Sequence, residues 1–146
     1  MTLQIITEPK EQIAQYVIER INSTSTPDDL FRYTALGLLK DNKLVAGLIY
    51  TDYVGTSIDI HIGAHPNKRW MTKELLIMIF HYPFIQLGVQ RITAKIASKN
   101  KDARNLAERW GFTQEGAMRE AIKDDDLIIY GMLKNECKWI ENDSNK

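Results

Sequence analysis

Polar and apolar residues alternate most cleanly from Ser57 to Gly63, where Ile58, Ile60 and Ile62 interleave with Asp59, His61 and Gly63. A period of two marks a strand with one buried face. Helical spacing shows in three places. Ile13, Val17 and Ile21 lie on one face of a helix that has Pro9 in its first turn and Thr7 as its expected cap. Met71, Leu75, Met78, Ile79 and Tyr82 define a second helix beginning near Trp70, which Pro83 is expected to kink or end. Ala103, Leu106, Ala107 and Trp110 form the buried stripe of a third, with Asn100 placed to cap it and Gly111 to close it.

The remaining apolar runs read as strands: Leu3–Thr7, Tyr33–Leu39 and Leu44–Tyr53 around "KDNK", Gln90–Ala97, then Phe112–Arg119 and Leu127–Leu133 around "KDDD". "NSTSTPDD" from Asn22 is polar and proline-broken, hence a loop. The order is strand, helix, three strands, helix, strand, helix, two strands. That is a mixed α/β domain with a parallel strand–helix–strand crossover at its middle. A single domain over residues 1–146 is expected. Cys137 and Trp139 sit in a short tail expected to pack locally.

Composition narrows the choice of partner. The chain is 44% hydrophobic and 26% charged with a formal net charge of zero. Zero net charge argues against a nucleic-acid module, because duplex affinity rests on excess Lys and Arg. Cys137 is the sole cysteine, which excludes an intrachain disulfide and suits a reducing compartment. The first residues lack a basic region followed by an apolar run, and Leu75–Phe80 is too short to span a bilayer. A cytoplasmic protein without membrane contact is expected.

Charge is nonetheless local. Seven basic residues against one acidic residue, Asp102, occupy Lys68–Lys73 and Lys95–Arg104. Both windows open helices at the carboxyl ends of the crossover strands, where ligands of open α/β sheets bind. Two helix N-termini and a cationic cluster suit a phosphorylated ligand; a plain solvated rim is the competing reading.

The stretch "QLGVQRITAKIASKNKDARNLAERWGFTQEGAMREAIKDDDLIIYGMLKNECKWI" resembles the second half of a GCN5-related N-acetyltransferase (GNAT). It is most similar to the ribosomal-protein N-terminal acetyltransferase branch, in which a strand, an Asn, a helix, "GF", "EG" and "YGML…E" recur in that order. "RW-T", "YPF-QLG" and "DDDL-YGML" resemble a phage-associated subgroup. The resemblance covers Ile58 to about Ile140 and reaches the N-terminal third by topology alone.

The resemblance implies a mostly antiparallel mixed sheet whose parallel strands splay, and acetyl-CoA held between them as co-substrate. Pantetheine would lie along Ser57–Gly63, with backbone groups of Ile62, Gly63 and Ala64 polarising the thioester carbonyl. The pyrophosphate would sit on the turn from Lys68 through Arg69, Trp70 and Met71 to Thr72. Asn100 matches the family Asn that meets the pantetheine arm, and Arg104 belongs to the cationic rim. An amine, on a peptide or protein N-terminus, a lysine or a small molecule, would attack the thioester directly, so a base must take its proton.

His61 is the leading candidate for that base, since imidazole titrates near working pH; a hydrogen-bonded sheet residue is the equal alternative. Glu120 is the runner-up. The acidic run Glu120 and Asp124 to Asp126 could draw a cationic acceptor or be a hydrated hairpin tip. No metal is expected, and Cys137 has no evident base. Trp70, Trp110 and Trp139 read as packing residues.

Two departures stand out. The turn lacks the family's glycines between His65 and Lys73, so Lys68 and Arg69 would grip phosphate with side chains. Relatives carry a Tyr four residues before the "GF" glycine to protonate the leaving thiolate, and here that position is Ala107. Tyr130 or solvent would then serve. Otherwise the fold is catalytically silent, an interaction or phage structural protein. A homodimer is compatible with either reading.

Overall fold

Residues 3–21, 27–30, 32–65 and 71–140 are described by the structure, a computed structural model. In chain order the elements are β1 (Leu3–Ile6), α1 (Lys10–Arg20), β2 (Thr34–Lys40), β3 (Lys43–Thr51), β4 (Ser57–Ala64), α2 (Lys73–His81), β5 (Arg91–Ala97), α3 (Lys101–Trp110), β6 (Thr113–Ile122) and β7 (Asp125–Leu133). Among the described residues the strands form one seven-stranded sheet in the order β1-β2-β3-β4-β5-β7-β6. β4 and β5 are its parallel pair, over Ser57–Asp59 and Arg91–Thr93, while β4 runs on to Ala64 and β5 to Ala97. The chain divides into two units, one of the described residues up to Tyr53 with Ile60–Leu75, the other of Val54–Asp59 with the described residues from Leu76 onward.

In the first unit, "KDNK" makes the expected hairpin. Asp41 and Asn42 take left-handed backbones (φ 52 and 68), as a two-residue turn matching the strand twist requires. α1 departs from expectation at its start. Pro9 is the N-cap and not a first-turn residue, and the Glu8 carboxylate accepts the Lys10 N–H in place of any cap from Thr7. The helix buries Ile13, Ala14, Val17 and Ile18, and Ile49, Ile21, Leu30 and Tyr33 complete this core.

What brings α1 down onto the sheet is a row of glycines. Gly37 pairs with Gly47, and the His65 N–H donates to the Val45 carbonyl at 2.8 Å, a register that sets Gly63 beside Gly47. A Cβ at Gly47 would stand 2.9 Å from Val17 Cγ2, and one at Gly63 would stand 2.8 Å from both Val17 Cα and Arg20 Cβ. Only hydrogen fits under the last turns of α1.

In the second unit, α2 ends at His81, two residues before Pro83, as expected, and the chain goes on as a wider turn. Without an N–H, and with its ring against the preceding turn, Pro83 is accommodated by a π-turn over Tyr82–Gln86, where the Leu87 N–H reaches the Tyr82 carbonyl at 3.0 Å. Phe80 and Phe84 are thereby buried while Met78, expected on the buried face, is 44% exposed. Phe80 meets Trp110 edge-to-face at 5.8 Å, and Ile92, Tyr130 and Met132 are fully buried. α3 is bounded as expected: Asn100 Oδ1 accepts the Ala103 N–H at 3.1 Å, and Gly111 closes the helix at φ 110. The Trp139 indole N–H donates to the Trp110 carbonyl at 2.8 Å, seating the tail with Cys137 buried beside it.

The β6–β7 turn is tighter than "KDDD" suggested. Asp125 and Asp126 belong to β7, and Asp124 holds the left-handed position (φ 60). β6 is the outer strand, exposed at every residue except Gly116, which is half-buried, and its register with β7 shifts twice, at Gln114/Gly116 and at Met118/Ile122.

Candidate active site

In the first unit, β4 presents Gly63 to α1, and strand alternation sets His61 on the same side. The His61 ring is anchored: its Nε2 lies 2.9 Å from Thr51 Oγ1, the buried hydroxyl at the end of β3. The Thr51 hydroxyl also lies 3.3 Å from Asp52 Oδ2. Asp52 holds a left-handed backbone (φ 55), a conformation concentrated at constrained sites. Ile62 and Ala64 are half-buried, Gly63 is buried. At the entrance to α2, Met71 is half-buried and Thr72 Oγ1 accepts the Leu75 N–H at 3.2 Å, so Thr72 caps this helix. Lys68, Arg69 and Trp70 lie outside the described residues, as do residues 22–26 of the polar loop.

Tyr16 is a further polar group near the end of β4. Its hydroxyl is out of solvent with no hydrogen bond among the described residues, and the Arg20 guanidinium lies 4.9 Å from its ring centroid. Burial raises the Tyr16 pKa, opposed by Arg20 and the His65 backbone.

In the second unit, the cationic rim is largely engaged by its own neighbours. Arg104 donates to the Tyr130 hydroxyl (3.1 Å), the Ser98 carbonyl (3.1 Å) and Gln114 Oε1 (3.4 Å). Tyr130 in turn donates to Glu108 Oε2 at 2.8 Å and is fully buried, which raises its pKa; Glu108 adds to the rise and Arg104 opposes it. Its proton is thus directed at a carboxylate. Lys95 pairs with Asp59 at 3.6 Å. Lys99 donates through Nζ to the Asp124 carbonyl and through its backbone to Asp125 Oδ2, at 2.8 and 2.9 Å.

The acidic run is likewise structural in part. Backbone donation from Lys99, followed by that from Asp126, holds the Asp125 carboxyl below its ordinary range. Asp126 Oδ1 accepts the N–H of Glu120, whose backbone is left-handed (φ 53) and whose side chain is exposed. Ala107 is buried in α3, so the position where relatives carry a Tyr is filled by a core methyl. Among the described residues no group of three or more His, Cys, Asp or Glu could hold a metal, and no helix is long and apolar enough to cross a membrane.

Sequence reasoning missed Thr51, Asp52 and Tyr16. Thr51 merely ends the apolar run "LVAGLIYT", and its meeting with His61 depends on a cross-strand register that no local pattern displays.

Seven strands with one parallel pair joined through a helix form the GNAT arrangement, and residues 49–132 match the family model described as an acetyltransferase (GNAT) domain. The chain belongs to the GNAT acetyltransferase family. It is similar to the SPbeta prophage-derived uncharacterized N-acetyltransferase YokL of Bacillus subtilis, at 31% identity over 74% of this chain and 64% of that one. The putative ribosomal N-acetyltransferase YdaF of Bacillus subtilis is 27% identical over 65% of this chain and 62% of its own length. The chain therefore spans less than two thirds of either relative. Among solved structures, a spermidine N-acetyltransferase SpeG mutant from Vibrio cholerae superposes with a TM-score of 0.72 at 16% identity, covering 99% of this chain and 98% of that one. The ribosomal-protein-S5-alanine acetyltransferase from Vibrio fischeri gives 0.70 at 12% identity, covering 97% of each. These two likenesses establish the fold.

Proposed function

We propose that this chain is an acetyl-CoA-dependent N-acetyltransferase that moves the acetyl group directly to an amine. The observation that carries the reading is the parallel pairing of β4 and β5, which covers three residues of each before β4 runs on to Ala64. Backbone groups of Ile62, Gly63 and Ala64 are then the donors and acceptors for a pantetheine arm and thioester carbonyl. Met71, Thr72 and Asn100 stand at the starts of α2 and α3, where an anionic ligand is favoured. Lys68 and Arg69 complete the phosphate grip. His61 accepts the proton as the amine nitrogen bonds to the acetyl carbon and the carbon–sulfur bond breaks. Glu120 is the runner-up for that base. Arg104 and Tyr130 serve by fixing the start of α3.

The acceptor class is an exposed amine on a peptide or protein, as the likeness to YdaF favours, or a small amine, as the likeness to SpeG favours. The prophage origin of YokL supports a bacterial or phage-borne protein working in the cytoplasm. Titrating acetyl-CoA into the pure protein should release heat and raise the melting temperature; neither effect at millimolar ligand would remove the proposal. Arg69→Ala should weaken binding by about 1.5–3 kcal/mol, the worth of a charge-assisted contact. Buried Ala107 favours one alternative, a catalytically silent family member. That alternative requires no release of free CoA with any amine of a broad panel.

A further inference from the structure

We propose that the Lys95 ammonium meets the sulfur of the coenzyme and stabilises it as a thiolate while the acetyl group is transferred. This role depends on the transfer reaction proposed above, and its test separates the failure of one from the failure of the other.

The pairing of β4 with β5 stops at Asp59 and Thr93, and this closed end lies wholly within the second unit. Lys95 is the next residue of β5 on the face that Asp59 and Thr93 share. Two residues of strand rise put it about 6.5 Å beyond the last paired position. Its side chain folds back, so that Nζ lies 3.6 Å from Asp59 Oδ2. A charge-assisted hydrogen bond closes to about 2.7–2.9 Å, so this pair is loose. An ammonium offers three protons, and the Lys95 side chain is 38% exposed, so it can turn from Asp59 to a second anion. Other cations of this unit are committed. Arg91 donates to both oxygens of Glu115 and to Thr93, Lys99 to the Asp124 carbonyl, and Arg104 to Tyr130, Ser98 and Gln114.

A coenzyme whose phosphates lie at the starts of α2 and α3 sends its arm inward along β4, so the thioester is the end nearest this fork. As the amine nitrogen bonds to the acetyl carbon, the carbon–sulfur bond breaks and its electron pair stays on sulfur. In model compounds an ammonium holds its proton more tightly than a thiol does, so the lysine stays charged and the sulfur leaves as its ion-pair partner. The proton that His61 took from the amine returns through solvent to the sulfur, and CoA departs as the thiol. A cation placed where negative charge develops favours the transition state over the ground state. Tyr130 does not take this part, because its proton is directed at Glu108. Asp59 is the positioning residue that keeps the ammonium at the fork.

The probes are CoA and desulfo-CoA, which lacks only the sulfur, titrated by calorimetry into the whole protein. Charged groups near Lys95 are Asp59 and, further along the face, Arg91 with Glu115, while β7 sets uncharged Ile129 opposite Lys95 and Gly131 opposite Thr93. His61 follows Asp59 on the same face of β4, so the comparison is made above pH ~7.5, past the ordinary imidazole range. At pH ~8.5, the ordinary thiol value, CoA should bind about tenfold or more tighter than desulfo-CoA, as a charge-assisted contact supplies. The preference should grow with pH, because a deprotonated thiol is the better partner for an ammonium. Lys95→Met should abolish the preference and leave desulfo-CoA binding unchanged; Lys95→Arg, which keeps the charge, should retain it. In turnover, Lys95→Met should lower kcat about tenfold or more with the KM for acetyl-CoA unchanged, a split that loss of folding would not give. Equal affinity for the two compounds in the wild type, or a preference that survives Lys95→Met, overturns the proposal and leaves coenzyme binding standing. Protein that binds neither compound removes the transfer reading and this role with it.

Discussion

Replacing Gly63 by Ala adds one methyl at the place where α1 lies closest to the sheet. The new Cβ would stand 2.8 Å from Arg20 Cβ, 2.8 Å from Val17 Cα and 3.0 Å from the Val17 carbonyl oxygen. Carbon pairs rest at about 3.5–4.0 Å, so the shortfall is roughly 0.7 Å or more. Two of the three obstacles are backbone atoms, which no rotamer change can clear. The helix must lift or the strand must bend, at a cost of about 2–3 kcal/mol, the upper part of the range for overpacking.

Two other glycines calibrate the estimate. At Gly47 the nearest atom is the Val17 Cγ2 methyl at 2.9 Å, which can rotate, so Gly47→Ala should cost less, about 1–2 kcal/mol. At Gly116 a Cβ meets nothing within 4 Å, so Gly116→Ala should be neutral or stabilising by a few tenths of a kcal/mol, about what reduced chain entropy supplies. Urea unfolding at unchanged m-value gives the ordering directly. In a thermal scan the Gly63 variant should melt about 8–12 °C lower, at roughly 4 °C per kcal/mol for a domain of this size. If Gly63→Ala matches Gly116→Ala, the close seat of α1 is not what holds this part of the fold.

Two further expectations concern the second unit. Tyr130→Phe removes a buried hydroxyl bonded to both Arg104 and Glu108 and should cost about 1–2 kcal/mol in urea unfolding, with an unmoved midpoint counting against the network. Asp125 has a depressed pKa in the folded protein, so its stabilising effect is complete above the ordinary Asp range near pH ~3.9 and is lost as pH falls through the lower folded value. The stability gap between wild type and Asp125→Asn should therefore narrow on acidification below about pH 4; a gap independent of pH would show that Asp125 is not held ionised by Lys99 and Asp126.

The parts legible in the sequence are those encoded over a few neighbouring residues. Asn100 and Gly111 bracket α3 because capping is decided within one helical turn, and Asp41–Asn42 mark a hairpin because few residues tolerate that backbone. Ile58, Ile60 and Ile62 announce β4 by alternation alone. The resemblance in the second half of the chain supplied the family, and residues 49–132 bear it out.

The parts that escaped depend on register. Gly37, Gly47 and Gly63 look unrelated until three strands align them under one helix. Thr51 meets His61 across ten residues, and Arg104 meets Tyr130 across 26, so neither pairing leaves a local trace. The end of α2 before Pro83 was legible, but the π-turn that follows was not, because it is closed by a Leu87 N–H reaching back to the Tyr82 carbonyl. The acidic run was read as one patch, yet Asp125 and Asp126 point their carboxylates at backbone N–H groups from other parts of the chain.

β6 remains, ten residues long and lying at the rim of the sheet. A straight rim strand offers a ladder of open amides on which another polypeptide can polymerise. Here the ladder is warped at Glu115 and again around Arg119 to Ala121, and charged side chains stand at both defects. A stranger's backbone meets no long unbroken run of rungs. The irregularities that make this strand look imperfect work against templated growth from this rim.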